Sequence, residues 1–249
     1  MAGTVMHLVI ADRLMDAFDI RNPGYFYCGN LAPDAIMSNK HYTREMKRHT
    51  HFKDGIRLHE LRQPEKYRIY LERLQNFYER FVLQGSEHFE IYFGYFTHML
   101  VDELYLLRFR DGFVDQLLAR GKEPTDEAFF QLYTKDVDLV DWELARTYPF
   151  RYPMPETLLL KEPYEIPDYV TYEDLMASKE FIIQKDFLQS HSGEELSVMT
   201  LEQNLEFIEL SVRELPLILK DRYPATYRQV ARAEKSRNTL SRKSTPKEY

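Results

Sequence analysis

The segment GYFTHMLVDEL, residues 94–104, places a histidine and an aspartate four residues apart in a mostly apolar run. In an α-helix, residues four apart lie about 40° from each other on one face, so His98 and Asp102 project together. An imidazole and a carboxylate aimed at one point form half of a metal site. The alternative is a neutral histidine that hydrogen-bonds the aspartate in a helix interface, because each buried polar group needs a partner.

Other histidines and aspartates interrupt apolar sequence earlier in the chain. His7 lies in TVMHLVI, Asp34 follows Pro33 in GNLAPDAI, and His49 and His51 flank a threonine in KRHTHF. Taken singly, each has an ordinary explanation: a core histidine with a hydrogen-bond partner, a helix N-cap, and solvated polar side chains. Taken with the pair on the later helix, they suggest one bound cation that neutralises the carboxylates and accepts the imidazoles.

The elements that must position these residues are predicted to be helices. Pro and Gly in NPGYFYCGNLAPD predict a loop or short turns over about 21–35, and residues 36–61 are predicted to be loop plus a short helix. Five prolines between 149 and 167 predict an extended connector. No βαβ alternation or internal repeat occurs, so we predict an all-α, multi-helix bundle around a buried metal site. Apolar positions repeat at helical spacing, and helix boundary residues occur, over 4–19, 64–85, 86–121, 125–147, 172–190 and 200–219.

Charge divides the chain unevenly. The net charge is −7, but residues 221–249 carry eight Lys or Arg against three Asp or Glu, which leaves −12 on residues 1–220. We predict a single helical domain over 1–220 and a basic, partly disordered tail over 221–249. An acidic body repels polyanions unless a local cationic centre compensates, so we do not expect nucleic acid as a partner. The alternative is that the basic tail contacts nucleic acid or anionic lipid.

Composition also indicates a compartment. The chain has one cysteine, Cys28, which excludes an intramolecular disulfide and fits a reducing environment. The first residues lack the cationic start and unbroken apolar middle of a signal peptide. No apolar run approaches the roughly 20 residues that a membrane-spanning helix needs. We therefore expect a cytoplasmic protein.

The order and spacing of four motifs resemble the zinc-dependent phospholipase C family, which is related to the fungal single-strand nucleases. The motifs are TVMHLVI with His7, GNLAPDA with Asp34, HTHF with His51, and GYFTHMLVDEL with His98 and Asp102. The likeness covers about residues 1–110 and is greatest to shorter bacterial members without signal peptides, which are described only as hydrolases.

This resemblance implies an all-helical fold that hydrolyses phosphate esters at a cluster of up to three zinc ions. By position, Asp34, His51, His98 and Asp102 would bind one zinc, and His7 would bind a second that Asp102 bridges. In the family the second ion is completed by an N-terminal tryptophan, which has no counterpart near His7. The resemblance therefore implies one or two ions here, and iron, nickel or manganese could replace zinc at such ligands.

The family's remaining zinc uses a later histidine and a His-x-x-x-Glu or His-x-x-x-Asp pair. His191 and Glu195 have the right step but lie about 90 residues late in the chain. Asp138 and Asp141 are alternative oxygen ligands, or else part of a solvated acidic helix face. His49 and Arg48 are candidates for contacts with the bound phosphate.

The predicted function is metal-dependent hydrolysis of a small phosphate ester or a phospholipid headgroup. Metal-activated water would be the nucleophile, with Asp34 and Asp102 as the catalytic carboxylates. Helical phosphohydrolases of the HD type are a second class, but no His-Asp dipeptide occurs in this sequence. The third interpretation is a helical protein without enzymatic activity whose metal site is structural or vestigial.

Overall fold

The computed structural model describes residues 2–85, 87–119, 121, 127–159, 162, 164–190 and 195–232. In these residues the fold is all-α, as predicted, and β pairing is limited to isolated bridges. None of the described helices is both long and apolar enough to cross a lipid bilayer. The helices are α1 (Thr4–Leu14), α2 (Pro23–Ala35), α3 (Arg44–Thr50), α4 (Pro64–Phe77), α5 (Phe89–Leu104), α6 (Arg110–Ala119), α7 (Glu127–Thr147), α8 (Met154–Leu159), α9 (Tyr172–Ile182), α10 (Leu201–Arg222) and α11 (Pro224–Val230).

Helix α5 is the central element of the bundle. Every one of its residues is buried, as expected for a helix whose surface is apolar nearly all round. Wider π-helical turns extend α4, α5 and α9 at their C-terminal ends, over Tyr78–Val82, Tyr105–Phe109 and Ile183–Leu188. The predicted long helical run over 86–121 is thus α5, a π-helical segment and α6 in direct succession.

Helix α2 corrects the prediction of a loop over residues 21–35. Pro23 occupies its first turn, where a missing N–H costs nothing, and Pro33 lies within its last turn. Gly29 does not break the helix but faces Gly94 of α5, and a Cβ at Gly29 would lie only 2.1 Å from the carbonyl oxygen of Ile91. The glycines therefore allow α2 and α5 to approach closely, and this interface is the most extensive between the elements that the structure describes.

The proline-rich connector and the predicted tail also differ from expectation. The connector over 149–167 contains the short helix α8, whose early Pro155 is compatible with a first helical turn. The domain boundary predicted at residue 220 falls inside α10, and α11 follows it. Beyond α11, Ala231 pairs with Phe18, and the Arg232 N–H donates to the Ala17 carbonyl at 3.0 Å. The packed part of the chain thus includes residues 221–232, and residues 233–249 lie outside the described part.

Candidate metal centre

The five N-terminal candidates come from four separate parts of the fold. His7 lies on α1, Asp34 near the end of α2, His51 directly after α3, and His98 and Asp102 one turn apart on α5. All five residues are buried, with exposed fractions between 1% and 6%. The packing of α2 and α1 against α5 brings these side chains to one place.

A left-handed turn after α3 directs the side chain of His51 into the cluster. Thr43 caps α3 by accepting a hydrogen bond from the Met46 N–H, and the helix ends at Thr50. Phe52 then adopts a φ of 59°, a strained conformation for a bulky residue. Its ring is buried against Phe77 and other aromatic rings. The packing of this ring fixes the turn from which the neighbouring His51 points inward.

Asp102 lies between the three histidines. Its Oδ1 is 3.7 Å from Nε2 of His7, and its Oδ2 is 3.6 Å from Nε2 of His51 and 4.0 Å from Nε2 of His98. The rings of His7 and His98 stack with centroids 3.7 Å apart. These separations exceed a good hydrogen bond, so the aspartate is surrounded by imidazoles without being bonded to them.

Asp34 closes the other side of the cluster. Its Oδ1 is 3.3 Å from Nε2 of His51 and 2.8 Å from Nζ of Lys47. A second lysine, Lys53, places its Nζ 3.9 Å from Oδ2 of Asp102. Both carboxylates therefore have an imidazole and an ammonium group nearby.

Backbone carbonyls fix the tautomers of two histidines. Nδ1 of His98 lies 2.8 Å from the Asn30 carbonyl, and Nδ1 of His51 lies 2.9 Å from the Lys47 carbonyl. Because a carbonyl can only accept, each Nδ1 carries the proton and donates it. Each Nε2 then presents a lone pair to the cluster, which is how outer hydrogen bonds orient metal-binding histidines.

Buried polar atoms in the cluster have no hydrogen-bond partner among the described residues. They are both ring nitrogens of His7, Nε2 of His51 and of His98, and both carboxylate oxygens of Asp102. An unpaired buried polar atom costs about 1–3 kcal/mol, so several in one place need a common partner. Imidazole nitrogens and carboxylate oxygens together are the ligands that zinc accepts, and the residues therefore fit a zinc ion.

Among the described residues, two groups of three side chains place their ligand atoms close enough together for one metal ion. One is His7, His98 and Asp102, and the other is Asp34, His51 and His98; in each group the ligand atoms lie within 4.8 Å of one another. His98 belongs to both groups. Since its Nδ1 already donates to a carbonyl, it can offer one nitrogen to one ion.

Comparison with known families gives a match to this same part of the chain. Residues 6–103 match the family model of zinc-dependent phospholipase C. This confirms the resemblance noted in the sequence. No curated protein and no solved structure matches the chain. The matched segment contains all five clustered residues, and the family supports metal-dependent hydrolysis as the general chemistry, with zinc as the metal.

The surroundings of the cluster determine the charge of each group. Burial alone would raise the pKa of Asp102, but His7, Lys53 and His98 outweigh it and hold that pKa well below its usual range. The pKa of Asp34 is likewise held low, against burial, by Lys47 and His51. Burial lowers the pKa of His51 and, aided by His7, lowers that of His98 further. At neutral pH the cluster thus presents anionic carboxylates and two neutral imidazoles, the protonation states that a metal requires.

These shifts predict how the metal-free protein responds to acid. An unfolded histidine has a pKa of about 6.5, whereas His51 and His98 stay neutral below that pH when folded. Below about pH 6.5 the unfolded chain therefore takes up protons that the folded chain does not. These two histidines should each lower the free energy of unfolding by at most about 1.4 kcal/mol per pH unit as the pH falls. Asp141 acts in the opposite direction over this range, because its pKa is raised to about 8 in the folded chain.

Urea unfolding of chelator-treated protein between about pH 5 and pH 7.5 measures this slope. His98→Gln cannot titrate, so its decline should be shallower than that of the wild type. If the stability of His98→Gln depends on pH in the same way as that of the wild type, His98 is not buried as a neutral imidazole.

The remaining sequence candidates have other surroundings. Glu195 is exposed, and His191 lies outside the described residues. Asp138 pairs with Lys185 at 2.6 Å, so an ion pair accounts for it. His49 is exposed and contacts Asp54 at 3.1 Å rather than the cluster.

Two more of these candidates also lie elsewhere. Asp141 is buried and accepts a hydrogen bond from the Met6 N–H at the start of α1; burial and the nearby Asp186 raise its pKa to about 8. Arg48 pairs with Glu45 on the surface of α3. The oxygen ligands proposed from the acidic segment of α7 therefore have other structural partners.

Sequence reasoning missed Lys47, Lys53 and Asn30. Lys47 lies four residues before His51, and Lys53 two residues after it, so their spacing was available as a signal. Asn30 lies four residues before Asp34 on α2, and it contributes its backbone carbonyl to His98. That contact could be found only after residues 23–35 were known to be helical.

Proposed function

We propose that this protein is a zinc-dependent phosphoesterase whose metal is held by Asp34, His51, His98 and Asp102, with His7 beside them. The observation that carries the proposal is the convergence of these buried side chains with unpaired ligand atoms directed at one another. A zinc ion bound here would supply a water with a pKa near 7 and polarise a phosphate oxygen.

The chain's own residues have distinct parts in this proposal. Hydrogen bonds to the Asn30 and Lys47 carbonyls hold His98 and His51 in the tautomer that presents Nε2. Asp34 stays ionised at neutral pH because Lys47 and His51 lower its pKa, so it can orient an attacking water by accepting a hydrogen bond. The buried cluster excludes bulk water, which strengthens these electrostatic contacts.

The side of the cluster formed by Asp34 is the proposed route for substrate. The side chain of Lys47 is 23% exposed and that of Asp34 is 7% exposed, whereas those of His51 and Asp102 are each 1% exposed. A substrate phosphate would approach beside Lys47. The expected substrate is a small phosphate ester or the headgroup of a phospholipid, in keeping with the matched family.

A structural metal site is the second candidate function. Four protein ligands that are almost fully buried can close the coordination of a zinc ion and leave no position for water. Such a site would hold α2, α5 and the segment that follows α3 together. Metal binding without turnover would distinguish it from the proposed enzyme.

Two variants two residues apart test the enzymatic proposal. His51→Ala should lose zinc and all turnover of nitrophenyl phosphate mono- and diesters, because it removes a ligand nitrogen from the cluster. His49→Ala should keep both, because His49 is exposed and contacts Asp54. Zinc content is measured by elemental analysis, and turnover by nitrophenolate absorbance with added Zn²⁺ or Mn²⁺. Turnover that survives in His51→Ala, or zinc-loaded wild type that hydrolyses none of the esters, would refute the proposal.

A further inference from the structure

Two lysines lie against the metal centre, one beside each carboxylate. Nζ of Lys47 is 2.8 Å from Oδ1 of Asp34, and Nζ of Lys53 is 3.9 Å from Oδ2 of Asp102. Lys53 is buried, with 7% of its surface exposed, so its ammonium group is held in the interior next to the cluster. An ammonium group has three donors and no acceptor, and it therefore cannot ligate a metal.

The charge balance around the cluster is already even without a metal. The two carboxylates and the two ammonium groups cancel, so one divalent cation leaves a net charge of about plus two among buried groups. A second divalent cation would double that charge at short range, where repulsion is screened weakly. The lysines thus oppose the binding of a second ion.

The histidines also limit the centre to one ion. The two possible metal groups share His98, whose single available nitrogen can serve one ion. Removal of His98 from either group leaves only two of the residues that define it. The donor set and the charges therefore agree on a single ion.

We infer that this centre binds one divalent ion and that Lys53 and Lys47 act as fixed cations in place of further metal ions. Their ammonium groups bind oxygens of a phosphate group that sits on the single ion. Lys53 contacts the phosphate from inside the cluster, and Lys47 contacts it from the more exposed side. The phosphate contact rests on the proposed function, whereas the number of ions does not.

Replacement of each lysine by uncharged methionine tests this inference, because the affinity for zinc should rise while the affinity for phosphate should fall. Lys53→Met removes a positive charge from beside Asp102, so zinc should bind about tenfold more tightly or better. Inorganic phosphate should bind to the zinc-loaded variant about tenfold more weakly or worse, because one ammonium donor is lost. Lys47→Met should behave in the same way. Substitution of a lysine with only a structural role would not change the zinc and phosphate affinities in opposite directions.

The measurements use the full chain. Zinc stoichiometry comes from elemental analysis, zinc affinity from competition with a chromogenic chelator, and phosphate affinity from titration calorimetry of the zinc-loaded protein. Lys53→Arg keeps the charge and should retain phosphate binding, which controls for a loss of packing in the methionine variant. Lys185→Met removes a comparable, partly exposed lysine that pairs with Asp138 away from the cluster, and it should change neither affinity.

The outcomes separate this inference from the proposed function. One zinc per wild-type chain with opposite shifts in the methionine variants supports the inference. Two or more zinc ions per wild-type chain, or methionine variants that bind phosphate as well as the wild type, would overturn it and leave the phosphoesterase proposal standing. A wild-type chain that binds no zinc would overturn both.

Discussion

Asp102→Asn is expected to abolish zinc binding at physiological zinc concentrations while the helices still fold. Asp102 lies among three histidines and belongs to one of the two possible metal groups. Loss of an outer hydrogen-bond partner of a metal ligand typically weakens binding 10- to 100-fold, so loss of the central carboxylate should cost more than about 100-fold. The asparagine retains the size of the side chain but neither its charge nor its second acceptor oxygen.

Thermal unfolding with and without zinc gives the clearest measurement. Zinc at about 100 times its dissociation constant should stabilise the wild type by about 2.7 kcal/mol, whereas the variant should gain almost nothing. Asp136→Asn is the matched control. Asp136 is equally buried, but its oxygens accept hydrogen bonds from three backbone N–H groups, among them those of Val198 and Met199. This control should be destabilised and should still respond to zinc. An equal response to zinc in Asp102→Asn would show that the aspartate is not a ligand.

Spacing along a helix made one part of the candidate site predictable from the sequence. His98 and Asp102 are four residues apart in a segment that is apolar on all sides, so one buried helix had to project them together. The same periodicity predicted α1, which carries His7. These residues could be predicted because local sequence alone indicates both the helix that carries them and the helix face on which they lie.

Other parts depended on contacts between distant segments. Residues 23–35 contain two prolines and two glycines, which by local preference favour turns, yet they form α2 because Gly29 and Gly94 allow it to pack tightly on α5. The inward direction of His51 depends on the left-handed conformation of Phe52, which aromatic packing enforces and no local pattern indicates. Tertiary packing thus determines that the segment carrying Asp34 is helical, and it also determines that the His51 side chain points inward.

The candidates after residue 110 show the limit of a spacing argument. His191 and Glu195 were chosen only for their four-residue step, and Glu195 is exposed. Asp141 was chosen for its place on an acidic helix, but its carboxylate accepts a hydrogen bond from the Met6 N–H at the start of α1. Acidic residues at helical spacing occur for many structural reasons. The N-terminal candidates differed because several interrupted apolar sequence at once.

Gly94→Ala should be among the most destabilising single substitutions in the protein, because it adds a methyl group where the backbones of α2 and α5 approach most closely. A Cβ at position 94 would lie 2.3 Å from the carbonyl oxygen of Phe26 and 2.9 Å from Cα of Gly29. The obstructing atoms are backbone, so α2 and α5 must separate. We expect a loss of about 3 kcal/mol or more, at the upper end for overpacking, and a fall in melting temperature of about 6–12 °C.

The same separation should weaken zinc binding, because α2 carries Asp34 and the Asn30 carbonyl while α5 carries His98 and Asp102. Gly112→Ala is the control on the adjoining helix α6, where a Cβ would meet nothing within 4 Å. It should be neutral or stabilising by up to about 1 kcal/mol, since alanine favours a helix over glycine. Calorimetric melting and a zinc titration of both variants measure the difference. If Gly94→Ala melts with the wild type and keeps its zinc affinity, the close approach of the two helices does not position the site.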